Sequence, residues 1–201
     1  AIEVKCMDIK NGKLLYHLTH IDNLDSIIEY GLLSRNLACD LIAMDVADSE
    51  ILEKRQFNRL DDFVLFHFYP NTAFDNAVRN KYGSENFIYI TVYRAYAERN
   101  GFQIVPRHPL NGSFELCDYK EGMKKIDWEI MEKPMEEIEL SFKPYAKEVK
   151  MAECISEEPI NPNDFAYIHC NERRVNELQY KYPELAAKIK KGVWLDGNRV
   201  R

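Results

Sequence analysis

Apolar and polar positions along this chain fall into short runs of two kinds, one with strand spacing and one with helical spacing. Leu14–Leu18 is an apolar run that predicts a buried strand. Thr19-His20-Ile21-Asp22-Asn23 follows as a polar turn, and Leu24, Ile27, Ile28 and Leu32 then recur at helical spacing. Asp22 or Asn23 stands where a helix is capped, and Gly31 where a left-handed C-terminal cap stops it. The unit brings His17, Thr19 and His20 to the end of a strand. The backbone N–H groups of the following helix point at the space above them, a geometry that suits a nucleotide.

The rest of the chain reads in the same short units. Ile2–Lys5 predicts a first strand or arm that ends at the turn Asn11-Gly12. Residues 34–48 have no clean period and predict a loop with one helical turn. Ser49–Arg59 predicts a helix that carries Arg55 and Arg59. Phe63–Tyr69 is a continuous apolar and aromatic run, expected as a strand covered on both faces, with a short helix over Thr72–Asn80 behind it. Phe87–Tyr93 predicts a strand, Arg94–Arg99 a helix, Phe102–Val105 a short strand and Pro106–Ser113 a loop. Phe114–Lys143 reads as polar and irregular, and Met135–Lys150 as a mobile insertion. Met151–Ile155 and Phe165–Cys170 predict strands, Glu172–Lys191 a helix interrupted at Pro183, and Val193–Val200 a terminal strand or hairpin.

Composition narrows the class. A length of 201 residues suits one domain, with a loop insertion at about 106–148. No apolar run spans a bilayer and no signal peptide is visible, so a cytoplasmic protein with no membrane partner is expected. Cys6, Cys39, Cys117, Cys154 and Cys170 form no C-x-x-C pair and read as small buried residues; no metal site is expected. The net charge of −6 argues against a non-specific DNA binder that holds phosphates by charge alone, although a local basic strip on an acidic protein still permits binding.

Three stretches carry a resemblance to a known family. Tyr16-His17-x-Thr19-His20-x-Asp22-Asn23-Leu24, followed by Gly31-Leu32-Leu33-Ser34, resembles the opening of the DarT family, bacterial toxins that use NAD to ADP-ribosylate bases in nucleic acid. Phe63-Val64-Leu65-Phe66-His67-Phe68-Tyr69-Pro70-Asn71-Thr72 resembles the family's aromatic strand, with Leu65 in place of its first Pro and Asn71 in place of its Arg. Ile126-Asp127-Trp128, then Lys150-Met151-Ala152-Glu153-Cys154-Ile155, resembles the approach to its catalytic strand. No G-x-G-x-x-G or Walker motif competes.

The resemblance implies an α+β fold with a split β-sheet cleft and short surrounding helices. NAD would be consumed there as co-substrate, and no metal would take part. Glu153 would be catalytic, since a carboxylate beside the ribose stabilises the positive charge that develops when nicotinamide leaves. Arg55 would hold the diphosphate or polarise the acceptor base, with Arg59 on the substrate side as its rival. His17, Thr19, Asn23, Leu33, His67, Tyr69 and Phe74 would line the NAD site, His20 being structural. Asn71 and Trp128 would meet the acceptor. Two alternatives stay open: His67 as a buried, hydrogen-bonded histidine, and Trp128 as a core plug rather than a stacking platform.

The implied activity is transfer of ADP-ribose to a nucleobase in single-stranded nucleic acid, DNA being favoured. RNA, a protein acceptor and a non-catalytic NAD-binding module are the alternatives. The implied setting is a toxin–antitoxin or phage-defence system with a cognate antitoxin, in the family often a macrodomain hydrolase.

Overall fold

The computed structural model describes residues 8–43, 60–108 and 115–192. The expected strand at Ile2–Lys5, the helix at Ser49–Arg59 with Arg55 and Arg59, and the element at Val193–Val200 lie outside them. The described strands are β1 (Leu14–His20), β2 (Val64–His67), β3 (Phe87–Tyr93), β4 (Gln103–Val105), β5 (Cys117–Asp118), β6 (Glu153–Ser156), β7 (Tyr167–Cys170) and β8 (Ile189–Lys191). The helices are α1 (Leu24–Tyr30), α2 (Arg35–Ala38), α3 (Ala73–Tyr82), α4 (Arg94–Arg99), α5 (Tyr119–Lys125), α6 (Trp128–Glu132), α7 (Lys143–Lys150) and α8 (Glu172–Lys181).

Among the described residues the strands form one sheet in the order β5-β4-β6-β2-β1-β3-β7-β8. Only the β7–β8 pairing is parallel. The α+β class stands, with the strands on both sides of the expected split joined in one sheet. The split survives as a seam. β1 pairs with β3 through seven positions, from Leu14↔Tyr93 to His20↔Phe87, yet with β2 through the single pair Tyr16↔His67.

Directly opposed residues of antiparallel strands share a face, and neighbours along a strand alternate. Leu15, Phe66, Ile90, Val92, Ile104, Cys154 and Ile168 therefore project to one side, where they are fully buried in a single cluster. Leu24 and Ile27 of α1, Ala97 of α4, Tyr119 of α5, Val149 of α7 and Leu178 of α8 complete it. The opposite side bears Tyr16, His67, Glu153, Tyr89 and Thr91, with a smaller cluster of Leu60, Val105 and Ile155.

Several local expectations change. The strand at Phe63–Tyr69 contracts to four residues. Asn23 occupies the N-cap position of α1 without a capping hydrogen bond; its side chain serves other partners. Gly31 does end α1, at φ 88°, with its N–H donating to Ile27 O at 2.9 Å. A side chain there would also come within 3.0 Å of Ile160 O, because the next residue, Leu32, forms a two-way backbone bridge with Ile160. Thr72 and Asp75 form a capping box that starts α3.

The stretch taken as irregular, Phe114–Lys143, holds β5, α5 and α6, and the supposed mobile insertion Met135–Lys150 ends in α7. Lys150 Nζ ties α7 down by donating to Met131 O at 2.7 Å and Lys133 O at 2.6 Å. The helix expected to reach Lys191 stops at Lys181, and Ile189–Lys191 becomes the parallel edge strand β8. Cys117, Cys154 and Cys170 are buried as expected, but Cys39 is exposed. No helix among the described residues is long and apolar enough to cross a membrane.

Candidate active site at the seam of the sheet

Glu153 opens β6 at 1% exposure. Its register partner is His67, whose own partner across the seam is Tyr16. Glu153, His67 and Tyr16 thus stand in one row on one face, with Val105 and Thr91 continuing it on either side. The row is where the sheet is narrowest in hydrogen bonds. A carboxylate, an imidazole and a phenol stand side by side there.

The seam itself is held by a side chain. Beyond Tyr16↔His67 the ladder parts, and the imidazole of His17 takes over, with Nδ1 2.8 Å from the carbonyl of Leu65. A carbonyl only accepts, so Nδ1 carries the proton and Nε2 is the acceptor end of the neutral ring. The ring packs edge-on to Phe66 at 5.9 Å. His67 is oriented in the same way, with Nδ1 3.3 Å from Ala152 O beside Glu153, and is 5% exposed. Its hydrogen bond is the one expected of a buried structural histidine, and its row places it next to the carboxylate.

Thr19 and Asn23 form a buried pair at the end of β1. Asn23 Nδ2 donates to Thr19 Oγ1 at 3.2 Å, and Asn23 Oδ1 accepts from Ala43 N–H at 2.9 Å. Two backbone turns are thereby tied to the strand end, which is why the asparagine cannot also cap α1. His20 is structural as expected: its Nδ1 accepts from Asp22 N–H at 3.3 Å and its ring meets Phe87 at 5.3 Å. Leu33 is half-buried between the Leu32 bridge and Ser34, which caps α2.

The loop after β2 carries Tyr69, Asn71 and, in the first turn of α3, Phe74, which is half-buried. Tyr69 is half-buried, and its hydroxyl donates to Lys150 O at 2.9 Å on the β6 side of the seam. Burial, and then the charge of Asp75, push its phenol well above the ordinary tyrosine range. Asn71 has left-handed backbone, φ 62°, and its N–H donates at 2.9 Å to the hydroxyl of Tyr89, on the β3 side.

Trp128 is half-buried away from this row. Its Nε1 donates to Met123 O at 3.0 Å, its ring meets Phe68 edge-on at 5.4 Å, and the Arg94 guanidinium lies 5.8 Å from it. Those contacts are the ones of a core plug. A nucleobase platform needs an open ring face, and of the two alternatives for Trp128 these contacts favour the plug. Arg55 and Arg59 lie outside the described residues, and no group of three or more His, Cys, Asp or Glu that could hold a metal occurs among those described.

The structure also brings in groups that the motif reading passed over. Tyr16 shares the row of Glu153, and strict alternation along β1 and β2 from the matched His67 is the signal that finds it. Arg94 is a second. It is 7% exposed and donates to the carbonyls of Leu14 at 3.2 Å, Lys10 at 3.0 Å and Phe68 at 3.0 Å. It thus clamps the ends of β1 and β2 on both sides of the seam.

The sequence model of a family described as DarT, ssDNA thymidine ADP-ribosyltransferase, matches residues 16–186. No curated protein sequence matches the chain. Among solved structures, Thermus sp. 2.9 DarT in complex with ADP-ribosylated ssDNA aligns with a TM-score of 0.70 at 22% identity, covering 89% of this chain and 91% of that one. Thermus sp. 2.9 DarT in complex with NAD+ gives 0.68 at 20% identity, covering 90% and 96%. Thermosipho africanus DarTG in complex with ADP-ribose gives 0.69 at 18% identity, covering 92% of this chain and 51% of that one. At these identities the likeness to the three structures is one of fold.

Proposed function

This chain belongs to the DarT family of ssDNA thymidine ADP-ribosyltransferases, and from that premise we propose that its seam binds NAD and that Glu153 directs ADP-ribose from it to a thymine base in single-stranded DNA. The observation that carries the assignment is the row Glu153–His67–Tyr16 at the one place where the sheet is held by a single registered pair.

The chemistry follows from the groups in that row and beside it. Bond breaking separates the ribose carbon from the nicotinamide nitrogen and leaves positive charge on the sugar. The Glu153 carboxylate accepts hydrogen bonds from the ribose hydroxyls and stabilises that charge where water is excluded. His17, on the face of β1 opposite Tyr16, ties β1 to β2 through Leu65 O and is assigned to the nucleotide on the family resemblance. Thr19 and Asn23 shape the wall at the end of β1, and His67, Tyr69 and Phe74 the opposite wall. A thymine joined to its sugar at N1 attacks through N3. The N3 proton departs to the Glu153 carboxylate of the row or to water. N3 lies on the pairing edge, so the base must be unpaired.

Arg55 is assigned to the diphosphate or the acceptor base and Arg59 to the acceptor side, on the family resemblance of their segment. Residues from about 106 to 148 are assigned to the acceptor side on the family resemblance; the pairing of β5 within the common sheet supports their belonging to a single domain. The protein would act in the cytoplasm under a cognate antitoxin of the macrodomain hydrolase type. The match to half of Thermosipho africanus DarTG, solved with ADP-ribose, is consistent with such a partner.

The test is incubation with NAD labelled on the adenylate, with separate pools of single-stranded DNA, duplex DNA, RNA and protein. Label should appear on thymine-containing single strands and be lost, by about 10²–10³-fold, in Glu153→Ala at unchanged melting temperature. Label on RNA or protein instead would move the acceptor, and a Glu153→Ala enzyme that retains more than a few per cent of the rate would remove Glu153 from the chemistry.

A further inference from the structure

The loop that leaves β2 is anchored on both sides of the seam. Tyr69 fastens it to Lys150 O, one turn before Glu153, and Asn71 N–H fastens it to the Tyr89 hydroxyl on β3. Between these anchors lies β1, and the Tyr89 ring meets Tyr16 of the Glu153 row edge-on at 6.0 Å. The loop is therefore a strap across the open seam rather than a plain connection to α3.

Asn71 holds the strap in a conformation that side chains avoid. Left-handed backbone is uncommon outside glycine, asparagine tolerates it best, and its surroundings can fix it further. Here they do. The Tyr89 hydroxyl accepts from Asn71 N–H and donates to Asp75 Oδ2 at 2.8 Å. Asp75, 1% exposed, accepts from Thr72 N–H at 3.1 Å through the same oxygen. Arg79 Nη1 donates to Asn71 Oδ1, while its Nε and Nη2 fork onto Ser84 Oγ at 3.0 and 2.8 Å. Asn76 Nδ2 donates to Asn71 O at 3.1 Å. Tyr89, Asp75 and Arg79 are all nearly excluded from water, so the set is a fixed frame and not a surface tangle.

We propose that Tyr89, Asp75 and Arg79 are positioning residues whose one task is to hold the Asn71 strap across the seam, so that the incoming base meets the NAD ribose in one orientation. The inference rests on the reading of the seam as the transfer site. It assigns a role that Glu153 and His17 do not have: orientation of the acceptor base. None of the three touches substrate; each acts through Asn71. A loosened strap leaves NAD bound beside Glu153 but lets the base arrive in many orientations, which lowers transfer and spares hydrolysis.

The variants are Tyr89→Phe, which keeps the ring and removes one hydroxyl, and Arg79→Lys, which keeps the charge and removes the fork. Each is assayed for transfer to a thymine-containing single strand, for NAD hydrolysis without DNA, for KM toward each substrate and for melting temperature. The expected result is a rise in KM for DNA and a fall in transfer of about tenfold or more in Tyr89→Phe, with a smaller fall in Arg79→Lys. The KM for NAD and the hydrolysis rate should stay within about twofold in both. Transfer unchanged in both variants overturns the proposal, as does a parallel loss of transfer and hydrolysis that tracks melting temperature. A wild-type protein that hydrolyses NAD but labels no single strand would instead overturn the reading of the acceptor on which the inference rests.

Discussion

His169 shows how much a single side chain can be set by its place in the sheet. It stands on β7 opposite Tyr89, and burial holds its imidazole at about 4, below its ordinary 6.5. The folded protein thus refuses a proton that the unfolded chain accepts. Stability from this residue is whole above about 6.5 and is lost as pH falls from there toward about 4, by up to about 3 kcal/mol. The melting temperature of the wild type should therefore fall more steeply across that acidic range than that of His169→Gln. Calorimetry at a series of pH values checks this, and parallel curves would remove His169 from the account. The candidate-site residues are unevenly legible at this scale. His17, Thr19 and Glu153 can be named from sequence because each sits in a short motif at fixed spacing. Trp128 reads two ways in sequence because a motif names only sequence neighbours, whereas Phe68 and Arg94, which meet its ring, come from two other parts of the chain. Asn23 reads as a cap from its position alone; only the fold brings Ala43 N–H within reach of its side chain.

At the scale of elements, the strands β1 and β3 and the helix α4 were legible because each is bounded by strong signals, an apolar run or a glycine turn. The segment that holds α5 and α6 was not. Helices of seven and five residues span too few turns for a period to emerge, and their stability comes from packing. Gly122 exposes the reason. A glycine in mid-helix weakens the local signal, yet a Cβ there would lie 2.2 Å from Ile104 Cβ, so α5 sits directly on β4. Gly122→Ala should accordingly destabilise the protein by about 1–3 kcal/mol through overpacking, despite alanine's better helix propensity. Denaturant titration would register this as a lower midpoint; an unchanged or raised midpoint would show that α5 can shift away. The edge strand β8 escaped for a related reason. Ile189 continues the helical spacing of the preceding residues, and its strand identity comes from parallel pairing with β7.

At the scale of the whole molecule, the sheet has two well-laddered parts, β5-β4-β6-β2 and β1-β3-β7-β8, joined by a seam. Its ties are one registered pair, the His17 imidazole, the Arg94 clamp and the strap. Fewer backbone hydrogen bonds cross here than between any pair such as β1 and β3, so the seam should open before the global transition. Hydrogen exchange should find β2 amides near the seam less protected than those of the β1–β3 ladder. NAD should raise protection at the seam more than elsewhere, because a ligand bound across it favours the closed form. Uniform protection across β1 and β2, with or without NAD, would contradict this.

The path of the backbone places a limit on what that opening can become. The chain runs from β1 across to β2, back to β3, over again to β4, β5 and β6, and returns for β7 and β8. Neither part is a continuous stretch of sequence. A nick in the turn between β6 and β7, or between β3 and β4, leaves fragments that each still depend on strands from the other. No single cut yields one part alone, so the parts cannot be inherited, exchanged or expressed as separate modules. A site built on the weakest line of the sheet is in this way laced shut by connectivity: the line can breathe for substrate without ever becoming a boundary between pieces.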